Sequence, residues 1–268
     1  MSVWSLLALN AAVLAVAYSV LWALSLRLRD VSFIDAWWPT GMALLAWTSI
    51  GAQLASGGAV GPHGWILAAI TTAWAVRLGG HLFKRWRQHG RERRYEEMMD
   101  DAQSRRGWSY ALASLVIIFA PQAPLQLIVA LPAQLGQLGS AQPLGLLALI
   151  GAALAVFGLV FEAIGDAQLA RFKADPANKG KVLDTGLWRY TRHPNYFGDA
   201  CLWWGLYLVA FETPLGPWSI LGPILITLLL TKGSGAPTVE KGMEERRPEY
   251  ADYIRRTSGF IPLPPKPR

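Results

Sequence analysis

The residues best suited to chemistry lie close together. Between Gly186 and Asp199 the chain sets Arg189, Arg192 and His193 beside Tyr190, Tyr196 and Phe197, then adds Asn195 and Asp199. Pro194 suits the first turn of a helix, where its missing N–H costs nothing. The helix it opens would carry Asn195, Asp199 and Trp203 on one face, four residues apart. Arg189, Arg192 and His193 can meet phosphate oxygens, and Asn195 can offer both a donor and an acceptor to a carboxamide. Other ionisable residues stand inside apolar stretches: Asp35, Arg77, His81, Glu162 and Asp166. Such groups are costly in lipid and are functional candidates by default. Arg77 and His81 share one helix face, as do Glu162 and Asp166. Together these faces predict a polar cavity opening to the cytoplasm. The alternative is plain interhelical pairing, such as Arg77 with Asp35.

Several chemistries have no signature. There is no glycine-rich dinucleotide fingerprint, no phosphate-binding Gly-x-x-x-x-Gly-Lys loop and no His-Glu-x-x-His. No Gly-x-Ser-x-Gly elbow occurs. Four His and one Cys show no metal-ligand spacing, so no metal is expected.

The elements that must position these residues follow from composition. Of 268 residues, 53% are hydrophobic and 16% are charged, against roughly 25% charged in ordinary soluble domains. That excludes a disordered chain, and Cys201 alone excludes a disulfide scaffold. Apolar runs predict an all-α, multi-pass membrane protein. It would have seven transmembrane helices, at about 3–26, 34–54, 65–84, 109–131, 144–170, 196–211 and 214–231. The whole of 1–268 reads as a single domain. The first span is expected to stay uncleaved, because it lacks a basic leader and its apolar run is long.

Charge sets the orientation. Arg27 and Arg29 follow the first span, eight bases lie between Lys84 and Arg106, six between Arg171 and Arg192, and eight from Lys232 onward. With Arg77 inside a span, these account for all 25 Lys and Arg. The intervening breaks have none, so the positive-inside rule puts the N-terminus outside and the C-terminus in the cytoplasm. The net charge of +7 is then mainly a topology signal, and no nucleic-acid partner is expected. The basic mouth suits a phosphorylated ligand or anionic headgroups. Short amphipathic helices are predicted within 84–108 and over 238–256. Most Trp near span ends read as interfacial anchors.

The string from Gly186 to Asp199 resembles the steroid 5-alpha-reductase family, including its bacterial branch. Val239-Glu240-Lys241, Arg246 to Tyr253, Phe260-Ile261-Pro262, and Asp30-Val31-Ser32 with Asp35 and Trp38 add to the likeness. The resemblance implies an NADPH-dependent membrane reductase whose cofactor sits between helices, entered from the cytoplasm. It implies that Asn195, Tyr196 and Asp199 line the nicotinamide end, with Trp203 on the same wall. It also implies that Asp166 lies near the ribose, that Lys173, Lys181 and Arg93 or Arg94 lie near phosphates, and that Glu240 and Tyr253 close over the cofactor. Arg192 and His193 belong to the same implied cofactor site. Asp35 and Asp199 stand where eukaryotic members carry Glu, and Leu78 stands near the place of their catalytic Tyr.

The implied reaction saturates the 4,5 double bond of a 3-oxo-4-ene steroid. Hydride goes to the beta carbon, the carbonyl oxygen needs stabilising, and a proton must reach the alpha carbon. Asp35 is the expected polarising acid, with Arg77 or His81 as helper. The steroid would enter from the bilayer and the cofactor from the cytoplasm. The rival reading is an S-adenosylmethionine-dependent membrane methyltransferase of the isoprenylcysteine or phospholipid type, which shares Arg192-His193-Pro194-x-Tyr196-x-Gly198. The excess of bases favours the reductase, since adenosylmethionine carries no phosphate. A transporter or scaffold would bind no nucleotide. The expected location is a bacterial inner membrane, or the endoplasmic reticulum in a eukaryote.

Overall fold

The computed structural model describes residues 1–267. Among them the fold is helical throughout, with one isolated bridge between Thr191 and Ser258. Helix α1 spans Val3–Leu28, α2 Ile34–Ala55, α3 Pro62–His89 and α4 Arg93–Arg106. Helix α5 spans Tyr110–Val129, α6 Leu146–Ala174, α7 Pro194–Phe211, α8 Leu221–Thr231 and α9 Glu249–Arg256. Every expected apolar segment is therefore helical. Local chemistry fixes several ends. Ser2 caps α1 through the Ser5 N–H, Pro62 and Pro194 open α3 and α7, and α4 stops at Gly107 in the left-handed region.

Five stretches are long and apolar enough to cross a membrane: α1, α3, α5, α6 and Gly216–Arg246, whose apolar part contains α8. Between 22% and 33% of each apolar window is buried. The remainder presents side chains such as Val16, Val20, Val76, Leu146 and Phe157 outward. Exposed apolar surface on this scale suits lipid rather than water. Helices α2 and α7 are not among the five. Helix α7 has eighteen residues, eleven of them buried, and it forms the centre of the bundle.

Three expectations change. The Pro/Gln/Gly-rich break between the spans expected at 109–131 and 144–170 is buried over 132–138 and exposed only at 139 and 141–143. Residues Pro132 to Leu135 form a short buried helix, and Gln137 and Ser140 are buried too. The amide side chains bond inward, Gln137 to the Gly64 and Ala133 carbonyls and Gln134 to the Leu127 carbonyl. The single helix expected over 238–256 is divided into Ala236–Glu240, Met243–Arg246 and α9, because Gly242 takes a positive φ and Pro248 interrupts. Helix α5 carries a π-helical stretch at Ser114–Phe119. It sits just before Pro121 and Pro124, which withhold two helical N–H groups.

The contact between α6 and α7 positions the site. Gly158 and Gly198 face each other, so a Cβ on Gly198 would run into the Glu162 backbone N–H, 2.6 Å away. Gly151 and Gly205 repeat the arrangement one level along the helices. Glycine here allows two backbones to touch. It fixes Glu162 and Asp166 of α6 directly beside Asn195 and Asp199 of α7.

Candidate functional site

Arg77 of α3 reaches across to α6 and α7. Its guanidinium meets Glu162, and Nη1 donates to Asp166 Oδ2 at 2.6 Å. Asp166 Oδ1 accepts from the Asn195 side chain at 3.1 Å. Glu162 also accepts from the Trp74 indole at 3.0 Å. Trp74 packs edge-on against Trp203, with ring centres 5.4 Å apart. Asp199 lies within electrostatic reach of Arg77 and Asp166. The Trp203 indole, one turn on, approaches Asp199 without a well-formed hydrogen bond, and Asp199 Oδ1, the Trp203 N–H and Arg77 Nε are all buried with no other partner. Three carboxyl groups thus surround one guanidinium, and donors and acceptors are left over. Unused hydrogen-bonding groups in a buried site are costly unless a ligand completes them.

The pairing considered between Arg77 and Asp35 is not formed. Asp35, at the start of α2, bonds instead with Arg94 of α4 and accepts from the Tyr95 hydroxyl at 2.5 Å. Arg85 lies 3.9 Å away, and neither Arg77 nor His81 is hydrogen-bonded to Asp35. Burial opposes the Arg94 charge, but the Asp35 carboxylate more than offsets this and raises the guanidinium above its usual range. Burial pushes the Tyr95 hydroxyl well above the ordinary phenol range, and the Asp35 charge pushes it further. The Arg94 guanidinium also stacks on the Tyr95 ring at 4.5 Å. The preceding Asp30-Val31-Ser32 segment locks the same corner. Asp30 accepts from the Trp86 indole at 2.7 Å, and Ser32 Oγ accepts from the Glu92 N–H at 2.8 Å.

A third group surrounds the N-terminus of α7. Arg192 Nε and His193 Nε2 both bond Glu240 Oε1, at 2.7 and 2.8 Å. Arg192 Nη1 donates to the Thr257 carbonyl at 2.8 Å. Thr191 Oγ1 donates to the Phe260 carbonyl at 2.8 Å, and the Tyr253 hydroxyl to the Trp188 carbonyl at 2.5 Å. Arg192, His193, Glu240 and Tyr253 therefore bind the C-terminal segment across the bundle mouth. Arg192 and His193 spend their donors on protein groups.

Tyr196 connects the three groups. Its ring stacks on His193, 5.2 Å between centres and 6° from parallel. It lies within electrostatic reach of Arg94, Arg85, Asp35 and Asp166. His81 is half-buried one turn beyond Arg77, near Asp166, Arg85 and Lys173. Lys173 in turn lies near Arg85 and Arg247. Arg93 is elsewhere, on the exposed side of α4 in an ion pair with Glu97. Lys181 is exposed on the 179–185 turn, with no side-chain hydrogen bond among the described residues.

The site thus brings together Arg77, Asp166, Asn195, Asp199 and Trp203, and places Tyr196 and His81 beside them. It leaves out Arg93 and Lys181. Trp74, Arg85, Glu92, Tyr95 and Arg247 enter it without having been singled out as site residues. Trp74 and Tyr95 could have been found by spacing. Trp74 precedes Arg77 by three on the same helix face, and Tyr95 adjoins Arg94.

Chemically, the arrangement can hold a neutral amide-like group against Asn195, Asp199 and Trp203, and anionic groups against Lys173, Arg85 and Arg247. Among known proteins, a family model described as "Protein of unknown function (DUF1295)" matches residues 21–257. An uncharacterized protein of Schizosaccharomyces pombe, C594.04c, is 27% identical over 272 aligned residues, covering 91% of this chain and 76% of its own length. No solved structure matches significantly.

Proposed function

The chain belongs to the DUF1295 family, and we propose that this member is an NADPH-dependent membrane reductase acting on the 4,5 double bond of a 3-oxo-4-ene steroid or a related lipophilic enone. One observation carries the proposal. Helices α3, α6 and α7 converge on a buried polar site in which Asp199 and Trp203, one turn apart on α7, meet each other only loosely and Arg77 Nε has no partner, and Lys173, with Arg85 and Arg247 near it, lies close to Asp166. A carboxamide complements that donor and acceptor with Asn195 alongside, and a phosphorylated cofactor complements the cations. Lys173 and Arg247 form no ion pair among the described residues, so their charge is available.

When bound, NADPH supplies the hydride. The chain's own residues do the rest. Asn195 and Asp199 orient the amide end, and Arg77 holds the wall formed by Glu162 and Asp166. Asp35 accepts the Tyr95 hydroxyl's hydrogen bond and holds Arg94 in place, so that the Arg94 charge would stabilise the developing enolate. Trp74, Trp203 and the surrounding apolar helices exclude water. Hydride from a bound NADPH at the beta carbon and a proton from solvent at the alpha carbon would complete the saturated bond. Seven membrane crossings, the N-terminus outside and the basic mouth in the cytoplasm complete the proposal. The bacterial inner membrane is the proposed location.

The test uses the purified full chain in detergent with NADPH and testosterone. Loss of nicotinamide absorbance with a steroid product two mass units heavier is the expected result. Binding of S-adenosylmethionine with no NADPH consumption would replace the reductase by the methyltransferase reading.

A further inference from the structure

A pocket of about 440 Å³ lies apart from the Arg77 group, where α1 ends, α4 passes and α5 begins. Its volume falls in the ordinary range for small-ligand sites. Arg29, Arg91, Glu96, Asp100, Gln103 and Tyr110 are among its lining residues. Glu96, Asp100 and Gln103 lie at positions i, i+4 and i+7 of α4 and so share a face.

Five charged residues line the pocket, and four of them, Arg29, Arg91, Glu96 and Asp100, form no ion pair among the described residues, although opposite charges share one pocket; the fifth, Asp30, accepts from the Trp86 indole. The other polar lining groups are occupied: Asp30 by Trp86, Ser32 by Glu92 and Tyr95 by Asp35. The Tyr110 hydroxyl is buried and unpartnered. Two cations and two carboxylates held apart in a single pocket complement a ligand carrying both signs. Guanidinium groups and a phenol suit a phosphate, while two carboxylates suit a primary ammonium with its three donors. A quaternary ammonium would need an open aromatic face. Here the Tyr110 ring is already covered by Arg29, 5.1 Å from its centre.

Position identifies the source. The pocket lies at the ends of two stretches apolar enough to cross a membrane, Val3–Leu28 and Tyr110–Val129. Leu24, Leu28, Leu112 and Val116 are exposed on the adjoining faces of those helices, where acyl chains can lie. We propose that this pocket binds the phosphoethanolamine headgroup of a membrane phospholipid, phosphate toward Arg29 and Arg91 and ammonium toward Glu96 and Asp100.

The experiment is native mass spectrometry of the detergent-purified full chain, offered dioleoyl phosphatidylethanolamine, phosphatidylcholine or phosphatidylglycerol in turn. The wild-type chain should retain the ethanolamine lipid several-fold better than the other two. Glu96→Gln with Asp100→Asn should abolish that preference and leave phosphatidylglycerol binding intact. Arg29→Gln with Arg91→Gln should weaken both. Equal retention of the three lipids by the wild-type chain would overturn the proposal, and this arm needs no variant. Displacement of the lipid by water-soluble phosphoethanolamine at the same concentration would overturn its assignment to a membrane lipid. None of these readouts involves NADPH, so the outcome is separate from that of the reductase reading.

Discussion

Two arginines organise this bundle, and they are treated differently. Arg192 meets one carboxylate, Glu240, and its other donors end on the Thr257 and Ile254 carbonyls. Charge balances there, and no polar atom of Arg192, His193 or Glu240 is left buried and unpaired. Arg77 meets two carboxylates with a third beside it, its own Nε is left over, and Asp199 Oδ1 and Trp203 Nε1 meet each other only loosely. The Arg192 group closes on itself and holds the C-terminal segment in place. The Arg77 group stays open to a further partner. Similar residue types thus give a fastening in one place and a candidate site in the other, and the difference lies in the remaining hydrogen-bonding capacity.

Four substitutions test the difference between the two groups. Arg77→Ala strips the counter-charge from Glu162 and Asp166 and should cost about 3–5 kcal/mol of stability, as removing one partner of a buried pair does. Thermal unfolding in detergent reads it, and Glu162→Gln in the same background should restore about 1 kcal/mol or more. A loss no larger than that of a surface substitution would show that Arg77 is not buried against charge. Arg192→Ala should cost less, about 2–3 kcal/mol, because Glu240 keeps His193 and is partly exposed. It should also loosen the backbone around Lys241, Arg246 and Arg247 and speed tryptic cleavage there; an unchanged cleavage rate would remove the fastening role.

Asn195→Ala deletes one hydrogen bond to Asp166 and should cost only about 1 kcal/mol. It should nevertheless lower NADPH-dependent turnover by about 100-fold or more, since positioning groups act on rate. A variant that loses stability and activity in proportion would make Asn195 a structural residue like those around Glu240. Arg93→Ala, on the exposed side of α4, should change stability by less than about 0.5 kcal/mol and leave turnover unchanged. A large loss of cofactor affinity there would move the phosphate site toward Arg93 and away from Lys173.

Much of the fold was legible because lipid imposes simple rules. Uncharged runs had to be helices, and each expected segment is one. The site was legible in part. Spacing of four put Glu162 with Asp166, and Asn195 with Asp199 and Trp203, on shared faces. What spacing cannot show is which faces meet. Arg77 chooses Glu162 and Asp166 over Asp35 because the glycine contacts of α6 and α7 fix where those carboxylates stand. Arg192 and His193 suggested phosphate binding from residue type alone, while the structure gives their donors to Glu240 and Thr257, residues distant in sequence. The buried stretch at 132–138 was hidden for another reason. Its Gln and Pro residues are those of a surface loop, and only tertiary hydrogen bonds make them tolerable inside.

The fastening around Arg192 also has a consequence for biosynthesis. Helix α7 and its polar entrance leave the ribosome before Glu240, Thr257 and Phe260 exist as partners. Until those residues are made, Arg192, His193 and the Thr191 hydroxyl have water or lipid headgroups as their only company. The entrance to the bundle is therefore completed late, after its walls have been inserted. A nascent chain halted between α8 and Glu240 would carry that entrance unfinished, with Arg192 and His193 lacking the carboxylate that holds them in the complete fold.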